Sequence, residues 1–101
     1  MTKSNAQTSV LMAHEIGLHA RPSVKLTKLA KGFSSEIQMA VTADGPWIDA
    51  KSIVKVMAAK AAKDTVLHFR ARGEDAEAAV QALTDLVAQD FDEDRKDASH
   101  G

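Results

Sequence analysis

Residues 17–22, with the sequence GLHARP, combine residue types that can carry and hold a phosphoryl group. The ring of His19 offers a nitrogen nucleophile, and Arg21 can donate charge-assisted hydrogen bonds to phosphoryl oxygens. Pro22 is favoured in the first turn of a helix, so His19 is predicted to lie where a loop enters a helix. The unpaired N–H groups of Ala20 and Arg21, with the positive end of the helix dipole, bind phosphate and favour a neutral imidazole. On spacing alone, a histidine that merely caps the helix beside a solvated arginine remains an equally good interpretation.

Hydrophobic periodicity predicts the elements that position this segment. Helical spacing follows Pro22 as far as a stop at Gly32, and the last helix continues in helical spacing to Phe91. Alternation of apolar and polar residues predicts the strands, and Gly and Pro mark a hairpin turn at residues 42–46. Ser52 is the predicted N-cap of a short helix. The predicted strands cover residues 9–14, 36–41, 47–50 and 65–72, and the short helix covers residues 52–59. This order predicts an α+β fold of the form β-α-β-β-α-β-α, with a four-stranded antiparallel sheet and three helices on one face.

The 101 residues suffice for one domain, predicted at 9–91 between flexible tails at 1–8 and 92–101. A net charge of -1 gives no field that would attract nucleic acid or an anionic membrane. The chain has no cysteine, and the spacing of His14, His68 and His100 matches no metal site, so neither a metal nor another cofactor is expected. No apolar run is long enough to cross a membrane, and we expect a cytoplasmic protein.

The sequence resembles the HPr family, the histidine-containing phosphocarriers of the bacterial phosphoenolpyruvate-dependent phosphotransferase system. The GLHARP segment is similar to the active-site signature of that family, and three further segments match in order: AKGF at 30–33, AKSI at 50–53 and GEDAE at 73–77. The resemblance covers residues 10–91 and implies an open-faced β-sandwich. It implies that enzyme I phosphorylates His19 to a pros-phosphohistidine, that Arg21 steadies the phosphoryl group, and that an enzyme IIA domain then accepts it. Such a carrier has no turnover of its own and is expected to be a monomer.

The resemblance also implies a docking surface beside His19, formed by the apolar residues Val24, Ile53, Val54 and Met57. Exposed apolar patches of this kind mark partner sites, whereas Val56 of the same helix is expected in the core. Lysines are expected around the patch and would attract acidic partners: Lys25, Lys28, Lys51 and Lys55. Ser52 matches the position that HPr kinase/phosphorylase phosphorylates in some bacteria, where a phosphate would hinder docking.

Two other functions compete with the carrier. One is an enzyme that uses His19 as a general base, which lacks a second catalytic group nearby in the sequence. The other is a small α/β regulatory or RNA-binding module, whose strands lack the aromatic residues that stack on bases. The sequence leaves open whether a carrier would serve sugar uptake, a nitrogen-type regulatory relay or phosphorylation of dihydroxyacetone.

Overall fold

A single antiparallel sheet organises the chain, for which a computed structural model describes residues 4–12, 20–89 and 91. The four strands lie in the order β1-β4-β2-β3, and each neighbouring pair is antiparallel. The strands are β1 (Ser4–Met12), β2 (Glu36–Ala40), β3 (Ile48–Asp49) and β4 (Thr65–Gly73), and the helices are α1 (Ala20–Lys31), α2 (Ile53–Ala58) and α3 (Ala76–Ala88). The predicted α+β fold and its element order are therefore confirmed.

Alternation along the central strand β4 decides which face of the sheet is covered. Leu67, Phe69 and Ala71 are buried, while the residues between them turn to the other, open face. These three residues share one hydrophobic core with Leu26 of α1 and Leu83 of α3. Helix packing on only one side of the sheet produces an open-faced sandwich.

The predicted N-terminal tail at residues 1–8 is wrong for residues 4–8, which belong to β1. This strand pairs with β4 from Ser4, opposite Gly73, to Met12, opposite Thr65. Ala6 and Thr8 face the helix layer, and because one is small and the other polar, hydrophobic alternation does not mark them. The strand therefore begins five residues earlier than predicted, and its predicted end at residues 13–14 lies outside the described residues.

The chain after α3 also departs from the prediction. Helical spacing extends to Phe91, but α3 ends at Ala88 with Gln89 as its C-cap. Phe91 is nevertheless fully buried, with a backbone φ of 59°, and its carbonyl accepts a hydrogen bond of 2.8 Å from Lys25 Nζ. The Phe91 side chain thus fills the core from beyond the end of α3. The predicted helix extended too far because hydrophobic spacing reports burial, whether or not the residue is helical. The predicted tail at 92–101 lies outside the described residues.

A carboxylate joins the start of α3 to the turn before β2. The carboxylate of Asp75, the N-cap residue, makes no capping bond but accepts hydrogen bonds of 2.9 Å from the backbone N–H groups of Ser34 and Ser35, and one from the Ser35 hydroxyl. These bonds, the Ser35 hydroxyl first, lower the pKa of Asp75 from 3.8 to about 2. Gly73 allows the chain before α3 to lie this close to Ser35. A Cβ at Gly73, whose φ is +151°, would lie 2.8 Å from the Ser35 Cα.

Candidate functional site

Helix α1 begins at Ala20, the residue that follows His19 in the sequence and two residues before Pro22, where the helical spacing was predicted to begin. His19 itself, with Gly17 and Leu18, lies outside the described residues. Pro22 is fully buried in the first turn, where its missing N–H removes no helical hydrogen bond. The buried side of α1 continues with Leu26 and Ala30, which dock the helix on the core.

The exposed side of α1 carries basic residues in its first and last turns and no acidic residue. Ala20 and Arg21 are exposed in the first turn, which contains no acidic residue. Lys28 and Lys31 lie in the last turn, where the negative end of the helix dipole stabilises cations. α1 contains no carboxylate, so the helix itself adds no negative charge beside its first turn.

The predicted docking residues lie on two helices that contact each other, α1 and α2. Val24 on α1 is 46% exposed, while Val54 and Met57 on α2 are 74% and 40% exposed. Ile53 is half-buried, and Val56 is fully buried, as predicted for a core residue. Large apolar side chains that remain in solvent on neighbouring helices are typical of a surface that binds another protein.

The four lysines expected around this patch are not alike. Lys28 and Lys55 are exposed. Lys25 Nζ donates to the Phe91 carbonyl, and Lys51 Nζ donates to the Phe33 carbonyl at 2.7 Å. Besides carrying a charge, Lys25 therefore links α1 to the backbone at Phe91. Lys51 links the chain before α2 to the backbone at Phe33.

Ser52 is the N-cap of α2, as the sequence predicts. Its hydroxyl accepts a hydrogen bond of 3.3 Å from the Lys55 backbone N–H, and its φ of -104° and ψ of 112° are extended. The side chain is partly exposed and directly precedes Ile53 and Val54. A phosphate on this hydroxyl would place negative charge next to the predicted docking residues.

Sequence analysis missed a cluster on the open face of the sheet. The Arg70 guanidinium lies 4.1 Å from the centroid of the Trp47 ring, and Arg70 Nε donates a hydrogen bond of 2.6 Å to Gln38 Oε1. Trp47 precedes β3, so this contact holds the hairpin against β4. The feature that identifies this cluster is that Gln38 of β2 lies opposite Arg70 of β4. This pairing is visible only when the register of the strands is known.

Within residues 4–12, 20–89 and 91, no group of three histidine or acidic residues could hold a metal ion. None of the helices in this part of the chain is long and apolar enough to span a membrane.

The sheet order and the helices packed on one face define the class of the chain as an α+β open-faced sandwich. Residues 6–89 match the family model described as the PTS HPr component phosphorylation site. The phosphocarrier protein HPr of Neisseria meningitidis serogroup A is 40% identical over 85 residues, covering 84% of this chain and 93% of that protein. The crystal structure of HPr-C-His from Thermoanaerobacter tengcongensis is similar with a TM-score of 0.80 and 33% identity, covering 87% of this chain and 97% of that one. A multiphosphoryl transfer protein of Vibrio cholerae is 47% identical over 68 residues, 66% of this chain and 17% of that protein.

The chain belongs to the HPr family of the phosphotransferase system. It is accordingly a phosphocarrier, a protein that transfers a phosphoryl group and is not itself a catalytic enzyme.

Proposed function

We propose that His19 accepts a phosphoryl group from phosphorylated enzyme I and passes it to an enzyme IIA domain. The observation that carries this proposal is the start of α1 directly after His19, with Ala20 and Arg21 exposed in a first turn that contains no acidic residue. This arrangement favours an anion at the N-terminal end of the helix.

The chemistry needs a neutral imidazole with a free lone pair. Nδ1 of His19 attacks phosphorus, a new N–P bond forms, and the bond to the donor breaks with its electron pair leaving on the donor. The phosphoryl oxygens accept hydrogen bonds from the N–H groups of Ala20 and Arg21, while the Arg21 guanidinium adds charge-assisted bonds. The reverse sequence of bonds delivers the group to the acceptor. Because the N–H groups and the dipole are fixed by the helix, little reorganisation is needed.

The apolar residues Val24, Ile53, Val54 and Met57 form the proposed docking surface for both partners. Exposed lysines such as Lys28 would steer acidic surfaces toward it. Ser52 is the proposed regulatory site, where an HPr kinase/phosphorylase would add a phosphate. At that position the added charge opposes docking of the same acidic surfaces.

The phosphotransferase family supports a place in the bacterial cytoplasm, where the carrier would serve sugar uptake or a regulatory relay. The identity of the permease or regulator encoded beside the gene would separate these roles.

A transfer assay tests the proposal. The protein is charged with labelled phosphoenolpyruvate and enzyme I, then mixed with an enzyme IIA domain in a rapid-quench instrument. We expect one label per chain and its discharge to the acceptor, no label on His19→Ala, and slower transfer by Arg21→Ala with unchanged folding. Label on His19→Ala at the wild-type level would refute the assignment of His19, and an unchanged rate for Arg21→Ala would refute the role of that arginine.

The docking surface is tested with Ser52→Asp, for which we expect a raised KM for enzyme I. The matched control is Ala62→Asp, which adds the same charge at an exposed position beyond the other end of α2. Equal KM values for the two variants would contradict a surface that begins at Ser52.

A further inference from the structure

The three methionines in the described part of the chain occupy very different environments. Met12 on β1 and Met39 on β2 are fully buried and belong to the hydrophobic core. Met57 on α2 is 40% exposed. Small solutes can therefore reach the side chain of Met57, whereas the close-packed core excludes them from the other two. Met1 lies outside the described residues.

Met57 also lies within the proposed docking surface. Residues three and four positions apart are neighbours on a helix, so Met57 lies beside Val54 and Ile53. Val54 is largely exposed and Ile53 is half-buried, while Val56 is fully buried and attaches α2 to the core. A chemical change at Met57 therefore alters the side of α2 that faces solvent and leaves the packed side intact.

The thioether of methionine reacts directly with hydrogen peroxide. A lone pair of the sulfur attacks one peroxide oxygen, an S–O bond forms, and the O–O bond breaks. The departing hydroxide takes the proton of the bound oxygen, which leaves methionine sulfoxide and water. The sulfur loses two electrons and the peroxide gains them. Because the chain has no cysteine, no thiol of the protein competes for the oxidant.

We propose that Met57 is a reversible oxidation site, at which hydrogen peroxide weakens docking of the carrier to its partners. This inference rests on the proposed function, since it acts on the proposed docking surface. Oxidation converts a flexible apolar side chain into a polar one, and docking would bury the sulfoxide among apolar groups. Burial of a polar group without a hydrogen-bond partner is costly, so the oxidised carrier binds less tightly. Methionine sulfoxide reductases restore the thioether.

The fold itself accommodates this change. The sulfoxide of Met57 stays in solvent in the free carrier, and α2 keeps both its N-cap at Ser52 and the buried Val56. Oxygen added to Met12 or Met39 would instead disrupt the core. Oxidation at Met57 should therefore raise the KM for enzyme I and leave kcat unchanged, because only binding is affected.

Peptide mass spectrometry tests the selectivity of the reaction. The protein is treated with hydrogen peroxide at neutral pH, and catalase stops samples at intervals. We expect Met57 to gain one oxygen at least about tenfold faster than Met12 and Met39, because the core excludes the oxidant from those two. Equal rates at the three positions would overturn the proposal.

The phosphoryl-transfer assay tests the consequence, with each protein compared before and after peroxide. For the wild type we expect the KM for enzyme I to rise about tenfold, with the same kcat, and to return after treatment with sulfoxide reductases. Met39→Leu is the matched control, which replaces a buried thioether by an apolar group of similar volume and should show the same rise. Met57→Leu should have the same KM after peroxide as before it.

Met57→Ala separates this inference from the docking surface on which it rests. If its KM for enzyme I equals that of the wild type, Met57 does not belong to the docking surface, and both proposals fail at this residue. If its KM is raised but that of the sulfoxide is not, only the oxidation proposal is refuted. A rise in KM that also occurs in Met57→Leu after peroxide, or that the reductases do not reverse, would likewise overturn it.

Discussion

Two valines of α2 should respond in different ways to the same substitution. Val56 is fully buried and Val54 is 74% exposed, although only one residue separates them on the helix. Val→Ala removes the same two methyl groups at each position. We predict that Val56→Ala lowers the stability of the fold, whereas Val54→Ala lowers only the affinity for enzyme I.

The magnitudes follow from how much apolar surface each side chain has already buried. For Val56→Ala, two carbons at about 0.8 kcal/mol each, plus the cavity left in the core, give a loss of about 2–3 kcal/mol in unfolding free energy. A domain of this size then melts roughly 10–20 °C lower. For Val54→Ala, the small buried fraction limits the loss to about 0.4 kcal/mol. If the exposed part of Val54 is buried on docking, the affinity falls by about 1.2 kcal/mol, or roughly eightfold.

Urea denaturation measures the first pair of effects, and the KM for enzyme I in the phosphoryl-transfer assay measures the second. Both variants should keep the same urea m-value as the wild type, so that midpoints compare directly. Equal destabilisation by the two variants would refute the orientation of α2. An unchanged KM for Val54→Ala would refute its place in the docking surface while leaving the orientation intact.

Three further substitutions test how individual contacts stabilise the fold. Because the pKa of Asp75 is lowered from 3.8 to about 2, chiefly by the Ser35 hydroxyl, its contribution is complete above about pH 4 and disappears as the pH falls toward 2. Asp75→Asn should therefore flatten the stability profile between those values in acid titrations followed by circular dichroism, and an unchanged slope would contradict the assignment. Ser52→Ala should cost about 1 kcal/mol in urea denaturation by removing the N-cap of α2, and no loss would show that the bond to the Lys55 N–H contributes nothing. Gly73→Ala should cost about 1–3 kcal/mol through its φ of +151° and the contact with Ser35, and a neutral result in thermal melts would refute the steric argument.

The fold was predictable wherever one residue type repeats with a clear period. Leu67, Phe69 and Ala71 alternate with polar residues, which identifies β4 and its buried face. The N-cap of α2 was predictable because the Ser52 hydroxyl bonds a backbone N–H only three residues away. Both signals are local, and both are confirmed.

The parts that sequence could not predict depend on partners distant in the chain. Residues 4–8 form a strand because β4 and α3 cover Ala6 and Thr8, which no local pattern shows. Phe91 is buried after the helix has ended, so periodicity placed it on α3 incorrectly. Lys25 was expected to line the docking patch, but its amine also bonds the Phe91 carbonyl, 66 residues away. Such contacts arise from tertiary packing, which depends on residues far apart in the chain and therefore leaves no local sequence pattern.

For the site, residue types and spacing identified His19 and Arg21, and family resemblance supplied their roles. The structure describes Arg21 as exposed at the start of α1, and the assignment of the phosphorylated atom remains a prediction.

The most direct test of the central claim is ³¹P nuclear magnetic resonance of the protein after incubation with phosphoenolpyruvate and enzyme I. If His19 carries the phosphoryl group, the spectrum shows one phosphoramidate signal, coupled to the imidazole of His19 through Nδ1, which disappears in acid and is absent from His19→Ala. A signal that survives acid, or that persists in His19→Ala, would contradict it.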